Sequence, residues 1–225
     1  GHRALATLPV ELETRALFNP NLNSIWFGSI MELVNSITAL SIILTGAALI
    51  REREHGTIEH LLVMPLTPFE IMMAKVWAMG LIVVVVATAS LIFVVQGLLE
   101  VPIHGSIPLF VAGMTLYLFT TTSLGIFLAT MARSMPQFGL LLLVILLPLQ
   151  MLSGGMTPRE SMPELVQNIM LAAPTTHFVS LTQAILYRGA DISIVWPQFL
   201  TLTGIGSVFF VLALSRFRKT ISSMA

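Results

Sequence analysis

Five long apolar segments constrain the fold of this chain more than any other feature of its sequence. They cover residues 25–50, 70–98, 107–131, 136–156 and 192–215. About twenty apolar residues in a helix cross the hydrocarbon core of a bilayer, so each segment is long enough to span it. Hydrophobic residues make up 56% of the 225 residues and charged residues only 10%, which excludes an ordinary soluble domain. The sequence therefore predicts an all-α polytopic membrane protein.

Composition also excludes several classes of function. The chain has no cysteine, so disulfides, thiol catalysis and cysteine-ligated zinc are excluded. Its 11 basic and 11 acidic side chains balance, which leaves no electropositive footprint for a nucleic acid. His55 and His60 would point about 140° apart on a helix, so we expect no metal site. The phosphate-binding pattern G-x-x-x-x-G-K-[ST] does not occur, so we expect no ATP site in this sequence.

A cluster of charged residues separates the first two apolar segments. Its members are Arg51, Glu52, Arg53, Glu54, His55, Glu59, His60, Glu70 and Lys75. Charges at this density cannot lie in hydrocarbon, so the chain must leave the bilayer here and turn back. Thr67 with Glu70, and later Ser134 with Gln137, predict capping boxes at the starts of the second and fourth helices.

The same cluster contains a short amphipathic pattern. Ile58, Leu61 and Leu62 recur at helical spacing after Gly56, and Pro65 ends the pattern. An apolar face on the aqueous side of a membrane protein needs a partner protein or the bilayer surface. We therefore interpret residues 51–65 as a docking surface, the alternative being a solvated loop.

This stretch resembles the cytoplasmic signature of the ABC-2 type transporter permeases, (R)E-x-x-x-G-T-x-E-x-L-x-x-[ST]-P with a lysine about ten residues later. The matching residues are Glu52, Gly56, Thr57, Glu59, Leu61, Pro65 and Lys75. Met64 departs from the Ser or Thr that is common at its position. The resemblance covers essentially the whole chain and its motif is specific, although the family's substrates are diverse.

The resemblance implies a function, partners and a location. The chain would be the transmembrane permease subunit of an ATP-driven exporter in the bacterial inner membrane, with no enzymatic activity of its own. A second permease subunit, identical or not, would complete the path within the lipid, and a separate ABC ATP-binding subunit would hold ATP and Mg²⁺. The residues that would couple to that subunit are Glu52, Glu54, Gly56, Thr57, Ile58, Glu59, Leu61, Leu62 and Pro65.

Two other classes of function stay open. A membrane-embedded hydrolase needs a nucleophile or a metal pair at membrane depth, and the sequence shows none. An ATP-independent channel or secondary transporter is the main alternative. That class is typically marked by charges near the bilayer midplane or by broken helices there, whereas Glu32 lies near the outer edge of the first apolar segment.

A few polar side chains within or beside the apolar segments are candidates for the wall of a translocation path. They are Glu32, Asn35 and Gln96. The alternative for Glu32 is the wet interface, whose level Trp26 marks. For the hydroxyl side chains at residues 120–123 we favour hydrogen bonds between helices over ligand binding.

The distribution of lysine and arginine predicts the orientation. One set of loops holds Arg51, Arg53, Lys75, Arg133, Arg216, Arg218 and Lys219, and the other set, leaving out the N-terminal tail, holds Arg159 and Arg188. The positive-inside rule therefore places residues 51–70 and the C-terminus in the cytoplasm and residues 1–24 outside. The outer connection, residues 157–191, predicts a re-entrant pair of short helices that Pro174 interrupts.

The first 24 residues differ from the rest. Residues 10–18 alternate between apolar and more polar side chains, which predicts a short β-strand. A lone strand is not stable, and the sequence starts with glycine. We therefore expect residues 1–24 to be the end of a truncated extracytoplasmic domain, with a remnant β-strand, and residues 25–225 to be the transmembrane permease domain.

Overall fold

A computed structural model describes residues 24–56, 66–157 and 161–222. Its elements are α1 (Ser24–Glu54), α2 (Pro68–Ala89), α3 (Ile107–Met131), α4 (Met135–Met151), α5 (Glu164–Met170), α6 (Pro174–Thr182) and α7 (Ile192–Ser222). Two of them continue as π-helix, α2 over Ser90–Leu98 and α6 over Gln183–Tyr187. The predicted all-α fold is confirmed for the described residues. The predicted strand at residues 10–18 and the predicted short helix after Gly56 lie outside the described residues.

Four helices of the described chain are long and apolar enough to cross a membrane. They are Trp26–Glu54, Pro68–Leu98, Ile107–Met131 and Ile192–Lys219. Helices α5 and α6 meet at 89° and make a fifth span if the bent pair counts as one. The number agrees with the prediction of about five, and the pair of short helices predicted after residue 157 is confirmed.

The predicted fourth span, residues 136–156, is shorter in the structure. Helix α4 has 17 residues and ends at Met151. Gly154 then takes a φ of +91°, a left-handed conformation that continues no α-helix and that glycine adopts most readily. The helix is about 25 Å long, slightly less than the thickness of a typical hydrocarbon core.

The two predicted capping boxes had different outcomes. At the start of α2, the Glu70 amide donates to Thr67 Oγ1 over 3.3 Å, and the Thr67 amide donates to the Glu70 carboxylate over 2.7 Å. The prediction at Ser134 is wrong, because its side chain makes no capping hydrogen bond. The Gln137 side-chain oxygen instead accepts from the Arg133 amide over 2.8 Å.

Helix α3 lies at the centre of the fold and packs against α1, α2, α4, α6 and α7. Small residues bring α3 close to α1, since a Cβ placed on Gly125 would lie 2.7 Å from the Ile42 carbonyl oxygen. Such close approach is typical of membrane helices, which gain from packing rather than from burial. Helices α1 and α3 therefore approach each other backbone to backbone at Gly125.

Hydroxyl groups also join these two helices. Thr38 Oγ1 and the Tyr117 hydroxyl lie 2.7 Å apart, and Ser41 Oγ donates to Thr121 Oγ1 over 2.7 Å. Thr120 Oγ1 also donates to a carbonyl oxygen of α7, while Thr122 and Ser123 bond carbonyls of their own helix. The expectation of hydrogen bonds between helices is thus confirmed for two of the four hydroxyls at residues 120–123.

Candidate functional site

The last turn of α1 contacts three other helices through three consecutive side chains, Glu52, Arg53 and Glu54. We call these three residues the α1 clamp. They lie within the predicted docking surface, residues 51–65, and on the side of the molecule that carries the excess of positive charge. Each side chain has a different partner, so the clamp connects α1 to α2, to α3 and to α4.

Glu52 forms an ion pair with Lys75 of α2. The side chains are 26% and 13% exposed, so the pair is largely removed from water and weakly screened. Both residues belong to the motif quoted above, on opposite sides of residues 57–65. The pair therefore joins the two segments of chain that flank residues 57–65.

Arg53 binds the C-terminal end of α3. Its guanidinium donates to the carbonyl oxygen of Ala129 over 3.2 Å and also to that of Ala132. The last carbonyls of a helix have no partner within the helix, and the helix dipole makes that end negative. Arg53 therefore satisfies two acceptors and supplies the favourable charge in one contact. The guanidinium is half-buried, so moving it away from these two carbonyls would leave a partly buried charge without hydrogen-bond partners, which costs free energy.

Glu54 binds the start of α4. Its carboxylate accepts from the Met135 amide over 3.1 Å. An amide in the first turn of a helix has no partner within the helix, and that end carries positive potential. Glu54, 81 positions away in sequence, thus binds the first amide of α4, while the Gln137 side chain that a capping box requires bonds the Arg133 amide. Arg53 and Glu54 thus lie on either side of the short turn between α3 and α4. Each side chain carries the charge opposite to the partial charge of the helix end that it binds.

Gly56 ends the described part of this region. Its φ is +69°, and its amide donates to the Arg53 carbonyl oxygen over 3.3 Å. Most residues avoid this left-handed conformation, and glycine adopts it without cost. Glycine at residue 56 therefore permits the turn that ends α1. The other predicted coupling residues lie outside the described residues: Thr57, Ile58, Glu59, Leu61, Leu62 and Pro65.

A second feature lies towards the start of α1 and the end of the α2 continuation, where a groove of about 400 Å³ runs between the two helices. We call it the α1–α2 groove. Ser29, Glu32 and Ser36 line it from α1, and Ser90 lines it from the π-helical continuation of α2. The other lining residues are apolar. The groove is therefore an apolar channel with a polar strip along one wall.

The three predicted path residues are not brought together. Glu32 is exposed in the α1–α2 groove. Asn35 lies on a different side of α1, where its backbone carbonyl accepts from Gln150 of α4 over 3.3 Å. Gln96 is exposed on the π-helix and does not line the groove. Glu32 shares the α1–α2 groove with three serine side chains, Ser29, Ser36 and Ser90.

Sequence reasoning did not identify Arg53, nor the role of Met135. Their partners are backbone groups at helix ends, which a sequence does not display. One signal was present, since Arg53-Glu54 places a cation beside an anion at the point where α3 ends and α4 begins. That arrangement is recognisable only once the packing of α1 against α3 is known.

Comparison with known proteins gives a consistent result. A family model described as ABC-2 type transporter matches residues 7–187. The chain is 69% identical over 216 residues to the inner membrane transport permease YhhJ of Escherichia coli K12, covering 96% of this chain and 58% of that protein. It is 31% identical over 213 residues to the probable multidrug ABC transporter permease YbhR of the same strain, covering 94% and 57% respectively. The chain thus spans somewhat more than half the length of these curated relatives.

Proposed function

Because this chain belongs to the ABC-2 type transporter family, we propose that it is a transmembrane permease subunit of an ATP-driven exporter in the bacterial inner membrane. The span helices and the relatives named as transport permeases support this assignment. One relative is named as a probable multidrug permease, which favours efflux of small molecules. ATP and Mg²⁺ would bind a separate ABC subunit, and a second permease subunit would face this one across the path.

The α1 clamp is the observation that carries the coupling role. A partner that docks on residues 51–65 would push on the end of α1. The Glu52–Lys75 pair would pass this push to α2. The same push reaches α3 through Arg53 and α4 through Glu54. Rigid elements that share such contacts move together, which is how a nucleotide-driven closure becomes a movement of membrane helices.

Transmission towards the outer side would follow the contact between α1 and α3. Thr38 bonds Tyr117, and the Tyr117 ring stacks on Phe178 of α6 with centroids 4.0 Å apart and an interplanar angle of 7°. Helix α6 belongs to the bent outer pair. A displacement of α1 at its cytoplasmic end therefore has a continuous packed route to the outer helices.

The orientation and domain division form part of the same proposal. Residues 51–70 and 216–225 face the cytoplasm, and residues 157–190 and 1–24 face outward. The path candidates Glu32, Asn35 and Gln96 stay predictions. Transport that continues without any ATP-binding subunit would favour the alternative, a channel or secondary transporter.

The test separates docking from transmission in the full-length protein coexpressed with its ATP-binding subunit. Glu59→Lys combined with Leu61→Ala removes two docking residues, and we expect it to abolish copurification of the ATP-binding subunit. Arg53→Gln breaks the clamp but leaves every predicted coupling residue in place. We expect it to retain the subunit and to lower cargo-stimulated ATP hydrolysis about fivefold or more, the usual scale of coupling between sites.

Arg133→Gln is the matched control, because this exposed arginine lies in the turn between α3 and α4 but outside the clamp. It should leave both copurification and stimulation at the wild-type level. If the double substitution leaves an intact, inserted protein with full stimulation, the docking role of residues 51–65 is wrong. If Arg53→Gln behaves like Arg133→Gln, the clamp only stabilises the fold and transmits nothing.

A further inference from the structure

The α1–α2 groove carries an unbalanced charge. Glu32 is the one charged side chain among the described residues that line it. Within the described ranges, no lysine, arginine or histidine forms an ion pair or hydrogen bond with it. A carboxylate near the edge of the hydrocarbon costs free energy unless water or a cation meets it. The groove therefore favours occupants with positive charge.

The polar strip lies along a single helix face. Ser29, Glu32 and Ser36 are spaced by three and four residues, so they stack on one side of α1. Opposite them stand apolar side chains of α2, among them Val83 and Ala87. From Ser29 to Leu40, which also lines the groove, α1 rises roughly 16 Å. An occupant thus meets one charge near its outer end and apolar surface along most of its length.

The π-helix keeps the α2 wall continuous. In the α-helical part, the groove residues Val83 and Ala87 are four positions apart. From Ser90, where the π-helix begins, Val94 and Val95 follow at four and five positions, and Leu99 continues the wall just beyond its end. A π-helix bonds residue i to residue i+5 and so has more residues per turn than an α-helix, and this longer spacing is what holds the side chains on one face. Wide turns of this kind often occur at functional sites.

We propose that the α1–α2 groove binds an organic cation with an extended apolar body, and that Glu32 is its counter-ion. The inference rests on the proposed function, since it names the class of cargo that the exporter would take. The volume of about 400 Å³ lies within the range of small-molecule sites. The hydroxyls of Ser36 and Ser90 orient the polar end, and the apolar wall takes the remainder.

The test compares two ions of nearly the same shape and opposite charge. Tetraphenylphosphonium and tetraphenylborate are titrated against the full-length protein in nanodiscs, with empty nanodiscs subtracted. For the wild type we expect the cation to bind more tightly. Glu32→Gln should weaken cation binding roughly tenfold, the effect of losing one partly desolvated ion pair, and should leave the borate unweakened.

Glu164→Gln is the matched control, because it removes an exposed carboxylate on α5, outside the groove. It should change neither affinity. Ala87→Phe, which fills the groove, should weaken both ions. Equal losses of both ions in Glu32→Gln, or no loss of the cation, would overturn the inference.

A second copy of the chain or a lipid is the competing occupant. Because the chain has no cysteine, Ser36→Cys can report on proximity by disulfide formation in membranes. Efficient crosslinking that the cation does not reduce would assign the groove to a subunit interface and overturn the proposal.

Binding of the ions requires no ATP, so the result is independent of coupling. If Glu32→Gln weakens the cation no more than the borate while the ATP-binding subunit still copurifies, only this inference is refuted. If the ATP-binding subunit does not copurify with the wild type, the proposed function is refuted.

Discussion

Replacing Gly125 with alanine tests the close approach of α1 and α3. The added Cβ would lie 2.7 Å from the Ile42 carbonyl oxygen and 3.1 Å from its Cα. Both atoms belong to the backbone, so no change of rotamer relieves the contact and the two helices must separate by several tenths of an ångström. Overpacking of this kind costs about 1–3 kcal/mol. A glycine-to-alanine change also gains up to about 1 kcal/mol in helix propensity, which conceals part of the cost.

Gly80→Ala isolates the packing cost. Gly80 is also a buried glycine within a long helix, yet a Cβ placed on it would meet nothing within 4 Å. The propensity gain is common to both variants, so their difference in free energy of unfolding should equal the packing cost of about 1–3 kcal/mol. At about 2–4 °C per kcal/mol for a protein of this size, Gly125→Ala should melt several degrees below Gly80→Ala.

The assay is the thermal unfolding of the two purified variants in the same detergent, followed by tryptophan fluorescence, with wild type beside them. Stimulated ATP hydrolysis of the reconstituted complex is measured in parallel, because separating α1 from α3 also strains the route from the clamp to the outer helices. Equal melting temperatures for the two variants would refute the argument, since they would show that α1 and α3 do not approach closely at Gly125.

Three further predictions concern orientation, capping and bonding between helices. A membrane-impermeant thiol reagent added to intact cells should label Leu165→Cys and should not label Thr57→Cys, and the reverse pattern would contradict the orientation. Thr67→Ala should lower the free energy of unfolding by about 1 kcal/mol through loss of the capping box, whereas Ser134→Ala should change it little. Tyr117→Phe should cost about 0.6 kcal/mol by removing its hydrogen bond to α1, measured as equilibrium unfolding in detergent, and no loss would show that the bond contributes nothing.

Local patterns in the sequence predicted local structure well. Thr67 and Glu70 form their capping box because every partner lies within one turn. The same pattern did not form a capping box at Ser134, where the Gln137 side chain bonds the Arg133 amide and Glu54, far away in sequence, binds the Met135 amide. The five apolar segments were recognisable from composition alone. The π-helix over Ser90–Leu98 was not, because a continuous run of apolar residues has no periodicity that distinguishes one helix type from another.

The candidate sites were predicted less completely. The motif identified Glu52 and Lys75 together, but only the fold shows that they form an ion pair. Arg53 was not predicted to be a site residue, because its partners are backbone carbonyls that are free only where α3 ends. Polarity alone selected both Glu32 and Asn35, although the direction in which each faces depends on how α1 is rotated against its neighbours. Sequence spacing fixes such a rotation only when an element is amphipathic, and α1 is apolar on nearly every side.

The central position of α3 has a consequence for the biogenesis of the protein. Among the four long span helices of the described chain, α3 is the most buried and also the least apolar. The free energy of inserting a nascent helix into lipid depends on its apolarity, so insertion alone stabilises α3 least among these helices. Packing against α1 and α2 during insertion therefore matters most for α3. Substitutions that weaken its contacts would therefore leave a poorly inserted chain for the quality-control proteases. In cells, such variants would be detected as reduced protein abundance before any change in the rate of export.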